Sequence, residues 1–301
     1  MQQLDHVALD PTGSPAPAAS RRSEPSPWRK AGRRFLRQPA GIIGVTLIAL
    51  YIAMSVVPGW IAPHDPLVTF RGEELAAPSG DHWFGTDPIG RDVFSRTVHA
   101  TSLAMRVGLV SVAIGVAVGS LTGFLAAFRG GRISSAIMRF WEGVFAMPAV
   151  LLGLALGAAI GPGLMAISIA VGVAAAPALA RVAYGAGLQQ MEIGYIETAT
   201  ALGIPPRRVF FGHLLPNALG PVIVQAALFM GVAVLLEASL SFLGVGTQPP
   251  DPSWGAMLAE SQRYISSAWW YGVFPGIAIA GLVLGLNMCA DAARDALDPR
   301  S

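Results

Sequence analysis

EGVFAMPAVLLGLALGAAIGPGLMAISIAVGVAAAPALAR, residues Glu142 to Arg181, carries no charge between its two ends. A helix needs ~20 apolar residues to cross a bilayer, and this run is nearly twice that long. Gly161-Pro162-Gly163 stands near its middle. Glycine and proline in succession are a strong turn signal. The run therefore reads as two crossings joined by a tight turn, and this reading decides the count for the whole chain.

Four other charge-free stretches have the length of one crossing each: Arg37 to Asp65, Arg106 to Arg129, Arg208 to Glu237 and Arg263 to Asp291. The expected fold is all-α, a polytopic membrane protein with six transmembrane helices. Composition agrees. Of the 301 residues, 53% are hydrophobic and only 13% charged, about half the charge of a soluble domain. A net charge of +2 with 20 Lys+Arg against 18 Asp+Glu gives no reason to expect a nucleic acid partner.

Six crossings also sort the basic residues. Arg21, Arg22, Arg29, Lys30, Arg33, Arg34 and Arg37 precede the first; Arg129, Arg132 and Arg139 follow the second; Arg181, Arg207 and Arg208 flank the turn after the fourth; Arg294 and Arg300 end the chain. These fall on one side, which by the positive-inside rule is the cytoplasm; Arg71, Arg91, Arg96 and Arg263 fall on the other, outnumbered there by Asp and Glu. Five or seven crossings would scatter this bias. Both termini are expected to be cytoplasmic.

The expected organisation is a disordered tail at 1–27, rich in Pro, Ala and Ser, and a basic interfacial segment at 28–38. A first transmembrane helix at 39–62 and an extracytoplasmic loop at 63–98 follow. Residues 99–293 form a five-helix core that includes an elbow at 188–217, and 294–301 form a cytoplasmic end. Trp254, Trp269 and Trp270 suit a headgroup belt in the second outer segment. Gly- and Ala-rich runs such as GVAVGSLTGFLAA suit close backbone approach between helices in lipid.

One polar passage interrupts the apolar chain on the cytoplasmic side: YIETATALGIPPRRVFFGHLLPN, Tyr195 to Asn217. Tyr195, Ala199 and Leu202 share a helix face. Gly203 stands where a helix ends in a left-handed residue. Pro205 and Pro206 stop the first helix and start a second. The product is a helix–turn–helix elbow carrying Glu197 on its first arm.

Glu197-Thr198-Ala199, then Gly203, then Leu215-Pro216, resembles the E-A-A…G…LP loop of importer-type ABC permeases, with Thr198 in place of the first Ala. FGTDPIGRDVFSR (Phe84–Arg96), EASLSFLGVGTQPPDPSWGAML (Glu237–Leu258) and DAARDALDPR (Asp291–Arg300) resemble the dipeptide, oligopeptide and nickel branch, in its second, C-type subunit. The resemblance covers roughly residues 35 to 300. It implies a type I ABC importer permease fold in a bacterial inner membrane, and a non-catalytic subunit. The implied partners are two cytoplasmic ABC ATPases, a second homologous permease and an extracytoplasmic solute-binding protein. On this resemblance the coupling residues are Glu197, Thr198, Ala199, Gly203, Leu215 and Pro216. ATP and Mg belong to the partners, and no cofactor is expected here. A phosphate-binding Gly-Lys-Ser/Thr loop needs a lysine, and the sole lysine, Lys30, lies between Arg29 and Ala31.

Remaining ionisable residues are read as follows. Charges within spans usually face protein or a water path. Glu237 is expected to bond loop backbone near Gly244 to Gln248 and shape an outer gate, with Gln225 and Glu142 as further path candidates. Arg139 and Glu142 stand at i,i+3 spacing and are expected to pair. Asp87, Arg91 and Asp92 are expected to staple the loop ahead of the second crossing. His64, His82 and His99 show no metal-ligand spacing, and Cys289 is a lone cysteine expected to pack as a small apolar residue. Two rival functions stay in view. A gradient-coupled carrier wants mid-membrane acids and inverted repeats, and an intramembrane enzyme wants a nucleophile elbow or zinc motif. None is evident.

Overall fold

The computed structural model describes residues 38–161, 163–193, 198–199 and 202–297. The tail 1–27, most of the basic segment 28–38, and Glu197 lie outside them. Among the described residues there are helices and one isolated bridge, Thr86 to Asp92, but no strand.

Helix α1 (Pro39–Val56) is followed by a single turn, α2 (Pro58–Ile61). The second crossing is α3 (Val93–Gly115), a π-turn at Val116–Ser120, and α4 (Leu121–Arg129). The pair α5 (Gly131–Phe145) and α6 (Ala149–Ile160) comes next, then α7 (Leu164–Met191). After the elbow, α8 (Pro206–Val209), a π-turn at Phe210–Leu214 and α9 (Leu215–Phe242) form one long crossing. The short α10 (Trp254–Ser261) and the final α11 (Trp270–Leu297) complete the chain.

Five helical runs are long and apolar enough to cross a membrane. A sixth crossing results if α5 and α6, bent by 92° at their junction, count as one span. The third crossing is thus not one straight rod. Helix α6 has 12 residues, or ~18 Å at 1.5 Å per residue, short of a bilayer core. The break falls at Ala146–Pro148, where proline denies its predecessor the helical conformation. The second crossing begins at Val93, inside the expected 63–98 loop, and α11 runs past 293 to Leu297.

Helix α7 is the hub: it packs on α3, α4, α5, α6 and α9. Of its most apolar window 61% is buried, against 17% for α1. Contact with α3 and α4 is made through small residues. Gly115, Gly119 and Gly123 recur every four residues opposite Gly172, Ala176 and Ala180. A methyl group added to Gly119 would lie 2.3 Å from the Ala176 carbonyl oxygen, and one on Gly123 would lie 2.2 Å from that of Ala180. The Gly/Ala-rich runs are therefore backbone seams. A second such seam joins α1 to α11, where Gly44 lies against half-buried Cys289 and Tyr51 donates to the Ala278 carbonyl at 2.7 Å.

Candidate functional site

Two regions carry the polar chemistry, at opposite ends of the bundle. At one end is the elbow. Thr198 and Ala199 are helical. The Ile204 amide donates to the Ala199 carbonyl at 3.1 Å across Gly203, whose φ is +75°. A bond of this reach over a left-handed glycine is a Schellman ending. Proline then starts α8 at Pro206. Ala199 is buried in the main apolar cluster with Val209, Phe210 and Leu214, so the two arms of the elbow close on one another. Thr198, Gly203, Pro205, Arg207 and Arg208 are exposed, and Leu202 is 76% exposed. The π-turn ends at Leu215-Pro216. Proline has no N–H for the carbonyl four residues back, and a widened turn absorbs that loss.

At the other end the outer segments form a knotted cap. Asp87 accepts from the Arg91 side chain at 2.6 Å and from the Ile89 and Arg91 amides at 3.0 and 2.9 Å. Arg96 stands 3.5 Å from the same carboxylate and donates to the Pro66 carbonyl. Asp92 caps α3 through the Ser95 amide at 2.7 Å. Thus Arg91 takes Asp87 as its partner, and Asp92 faces a histidine, His82. Spacing kept the outer histidines apart, but the fold stacks His64 and His82 with ring centroids 5.1 Å apart. Only pairing across the loop reveals this.

Two tryptophans do not lie in a headgroup belt. Trp254 is buried and donates to the Thr97 carbonyl at 2.9 Å, and Trp270 is buried and donates to the Thr86 carbonyl at 3.3 Å. Both fasten the cap to the bundle. Trp269 is 52% exposed, as a belt residue would be.

Glu237 is 1% exposed and accepts from Ser241 Oγ at 2.7 Å. Among the described residues its partners are the side chains of Ser241 and Ser253, and not the loop backbone near Gly244 to Gln248 as expected. That loop is closed by the Val245 amide on the Leu240 carbonyl, and by Gln248, which donates to the Gly244 and Gly246 carbonyls. Gly255 of α10 lies so close that a methyl there would be 2.1 Å from the Ala238 carbonyl. Glu237 is therefore sealed between α9 and α10. Gln225 is half-buried on α9. Glu142 and Arg139 form no ion pair with one another among the described residues. They line a 440 Å³ cavity with Arg181 and Tyr184.

A cavity beneath the cap holds about 670 Å³. His99, Ser102 and Arg106 of α3, Leu164 of α7, and Thr247, Gln248 and Asp251 of the outer loop line it. In the sequence Arg106 marks the edge of a charge-free run. Its signal was its phase: it lies on the His99–Ser102 face at i+4 and i+7.

The family model for the binding-protein-dependent transport system inner membrane component matches residues 115–301. The chain belongs to this family. A second model, the N-terminal transmembrane domain of oligopeptide transport permease C, matches residues 26–78. The dipeptide transport system permease protein DppC of Alkalihalophilus pseudofirmus is 36% identical over 97% of this chain and 96% of its own length. The glutathione transport system permease protein GsiD of Pectobacterium atrosepticum is 36% identical over 94% of this chain and 95% of its own length. Among solved structures, a chain of the MetNI methionine ABC transporter in an inward-facing conformation matches with a TM-score of 0.55. It is 20% identical, covering 67% of this chain and 96% of that one. That likeness shows the fold, the type I ABC permease. The chain is a membrane-embedded transport subunit of an ABC importer and not an enzyme. These relatives lend nothing to the gradient-coupled carrier.

Proposed function

We propose that this chain forms half of an ATP-driven import path for peptides or a related small solute. The elbow is its contact with a cytoplasmic ATPase. The observation that carries this is the exposed Gly203 turn. A 76% exposed leucine, Leu202, stands at the tip of a turn otherwise rich in exposed polar residues and prolines, whereas its neighbour Ala199 packs inward. A bare leucine on an otherwise polar tip fits a groove on another protein. Thr198, Ala199, Leu215 and Pro216 fix the two arms, and Glu197 supplies the charge for a basic partner residue.

The remaining assembly follows from the family: two ATPases holding ATP and Mg, a second homologous permease, and a solute-binding protein on the extracytoplasmic side. The termini and the elbow then face the cytoplasm of a bacterial inner membrane. The 670 Å³ cavity under the cap opens toward the binding protein. Arg106 and Asp251, of opposite charge and in one cavity, suit a solute bearing both an amine and a carboxylate. The substrates named for the relatives, a dipeptide and glutathione, have both.

The test is cross-linking with uptake. In a Cys289→Ala background, Leu202→Cys is expected to trap the ATPase, and vesicles are expected to accumulate solute only while ATP is hydrolysed. Uptake without hydrolysis would refute the assignment.

A further inference from the structure

The outer cap holds a cluster that the transport mechanism leaves unused. His82 is 3% exposed and sits between two carboxylates: its Nδ1 is 2.8 Å from Asp92 Oδ1, and its Nε2 is 2.8 Å from Glu73 Oε2. Nε2 of His64 is 3.0 Å from the Asp81 carbonyl oxygen. Carbonyl and carboxylate oxygens only accept. The Asp81 oxygen therefore places a proton on His64 Nε2 and leaves the lone pair on Nδ1. Glu73 likewise places a proton on His82 Nε2. The lone pair of His82 Nδ1 then faces Asp92 Oδ1, and two lone-pair atoms at 2.8 Å require a cation between them.

A proton satisfies that requirement for His82 and Asp92 alone. It does nothing for His64, although one ligand atom each of His64, His82 and Asp92 all lie within 4.8 Å of one another. We infer that His64, His82 and Asp92 bind a divalent transition-metal ion of the zinc class. Two imidazole nitrogens and one carboxylate oxygen suit such ions. With bonds of ~2.0–2.2 Å, tetrahedral ligand atoms stand about 3.3 Å apart, so the widest-set pair, within 4.8 Å, closes in by about 1.5 Å at most. Glu73 on the far nitrogen of His82 and the Asp81 carbonyl on that of His64 are the oxygen acceptors that ligating histidines characteristically have behind them. Phe70 packs edge-on against both rings, at 5.1 and 4.9 Å, and walls the cluster. The backbone is pinned too: the His64 amide donates to Ser95 Oγ and the His82 amide to Ser79 Oγ, each at 3.1 Å. Glu73 is 48% exposed and marks the open side.

The ion would tie three segments of the cap: the bend after α2, the turn before Gly85, and the first residue ahead of α3. Occupancy is therefore a fastening for the cap, which shields the mouth of the bundle.

The full-length chain, with any affinity tag removed, is stripped with EDTA in detergent and titrated with zinc or nickel. One bound equivalent by elemental analysis is expected, with a rise in unfolding temperature. His64→Ala is expected to lower affinity at least tenfold, His82→Ala to abolish uptake, and Glu73→Gln to weaken it 10–100-fold. His99→Ala is expected to bind as the wild type does. His64 is only half-buried, so its variant decides the matter if His82→Ala fails to fold. Wild type that takes up no more ion than His64→Ala, or gains no thermal stability from the ion, would overturn the assignment and leave a proton as the bridge.

Discussion

Gly119→Ala adds a single methyl group at the tightest part of the seam between α3/α4 and α7. That methyl would stand 2.3 Å from the Ala176 carbonyl oxygen and 2.9 Å from its Cα. Comfortable contact begins near ~3.5 Å, so the two backbones must part by roughly 1 Å. Both atoms belong to the backbone of a packed helix, and neither can turn aside. Overpacking of this kind costs typically ~1–3 kcal/mol. Replacing a helical glycine by alanine returns ~0.5–1 kcal/mol, leaving a net loss of about 1–2 kcal/mol. Gly143→Ala on α5 is the matched control, because nothing lies within 4 Å of the added methyl. It keeps the backbone gain without the clash. The two variants should differ by the clash alone, roughly 1–3 kcal/mol, which at about 2 °C per kcal/mol for a chain of this size is about 2–6 °C in midpoint. Thermal unfolding of both in one detergent measures it. Equal midpoints would show that the helices are not in backbone contact there, and the seam would have to be abandoned.

Gly203→Asn is expected to keep ATP-driven uptake, since asparagine tolerates the left-handed region, whereas Gly203→Val should lose it. Open space around Gly203 makes this a purely conformational test, read by uptake against expression level. Glu197→Lys is expected to abolish coupled transport with membrane insertion intact, and normal uptake would remove Glu197 from the coupling contact. Trp254→Phe deletes the bond to the Thr97 carbonyl and should cost ~1–3 kcal/mol; unchanged stability would mean the indole N–H is not holding the cap. Arg106→Gln should raise the KM for uptake of a free-carboxylate solute several-fold and leave that of a carboxylate-blocked analogue alone. Equal effects on both would argue against a role for Arg106 in solute contact.

Charge spacing and glycine placement made much of this legible from the residues. The long uncharged run 142–181 does divide at its Gly-Pro-Gly, and Gly203 does carry the left-handed turn. What escaped is chiefly what depends on distant partners. The 92° break before α6 has a local signal in Pro148, but α5 ahead of it starts outside the uncharged run, among the arginines that follow the second crossing. Trp254 looked interfacial because its acceptor, the Thr97 carbonyl, lies 157 residues away. Glu237 is buried, and its partners are Ser241 one turn on and Ser253 from the outer segment, side chains that spacing alone does not single out. His64 and His82 meet only because the intervening loop doubles back over α3.

The seam through Gly115, Gly119 and Gly123 has a mechanical meaning beyond stability. Two helices that meet backbone to backbone have no layer of side chains to shear, so they behave as a weld and not as a bearing. Helix α7, which runs on into the elbow, is thereby fused to the second crossing along half its length. Any shove received at Leu202 must move a slab and not a single rod. The give in the molecule is left to α1 and α11, which the second seam joins into a unit of their own beside that slab.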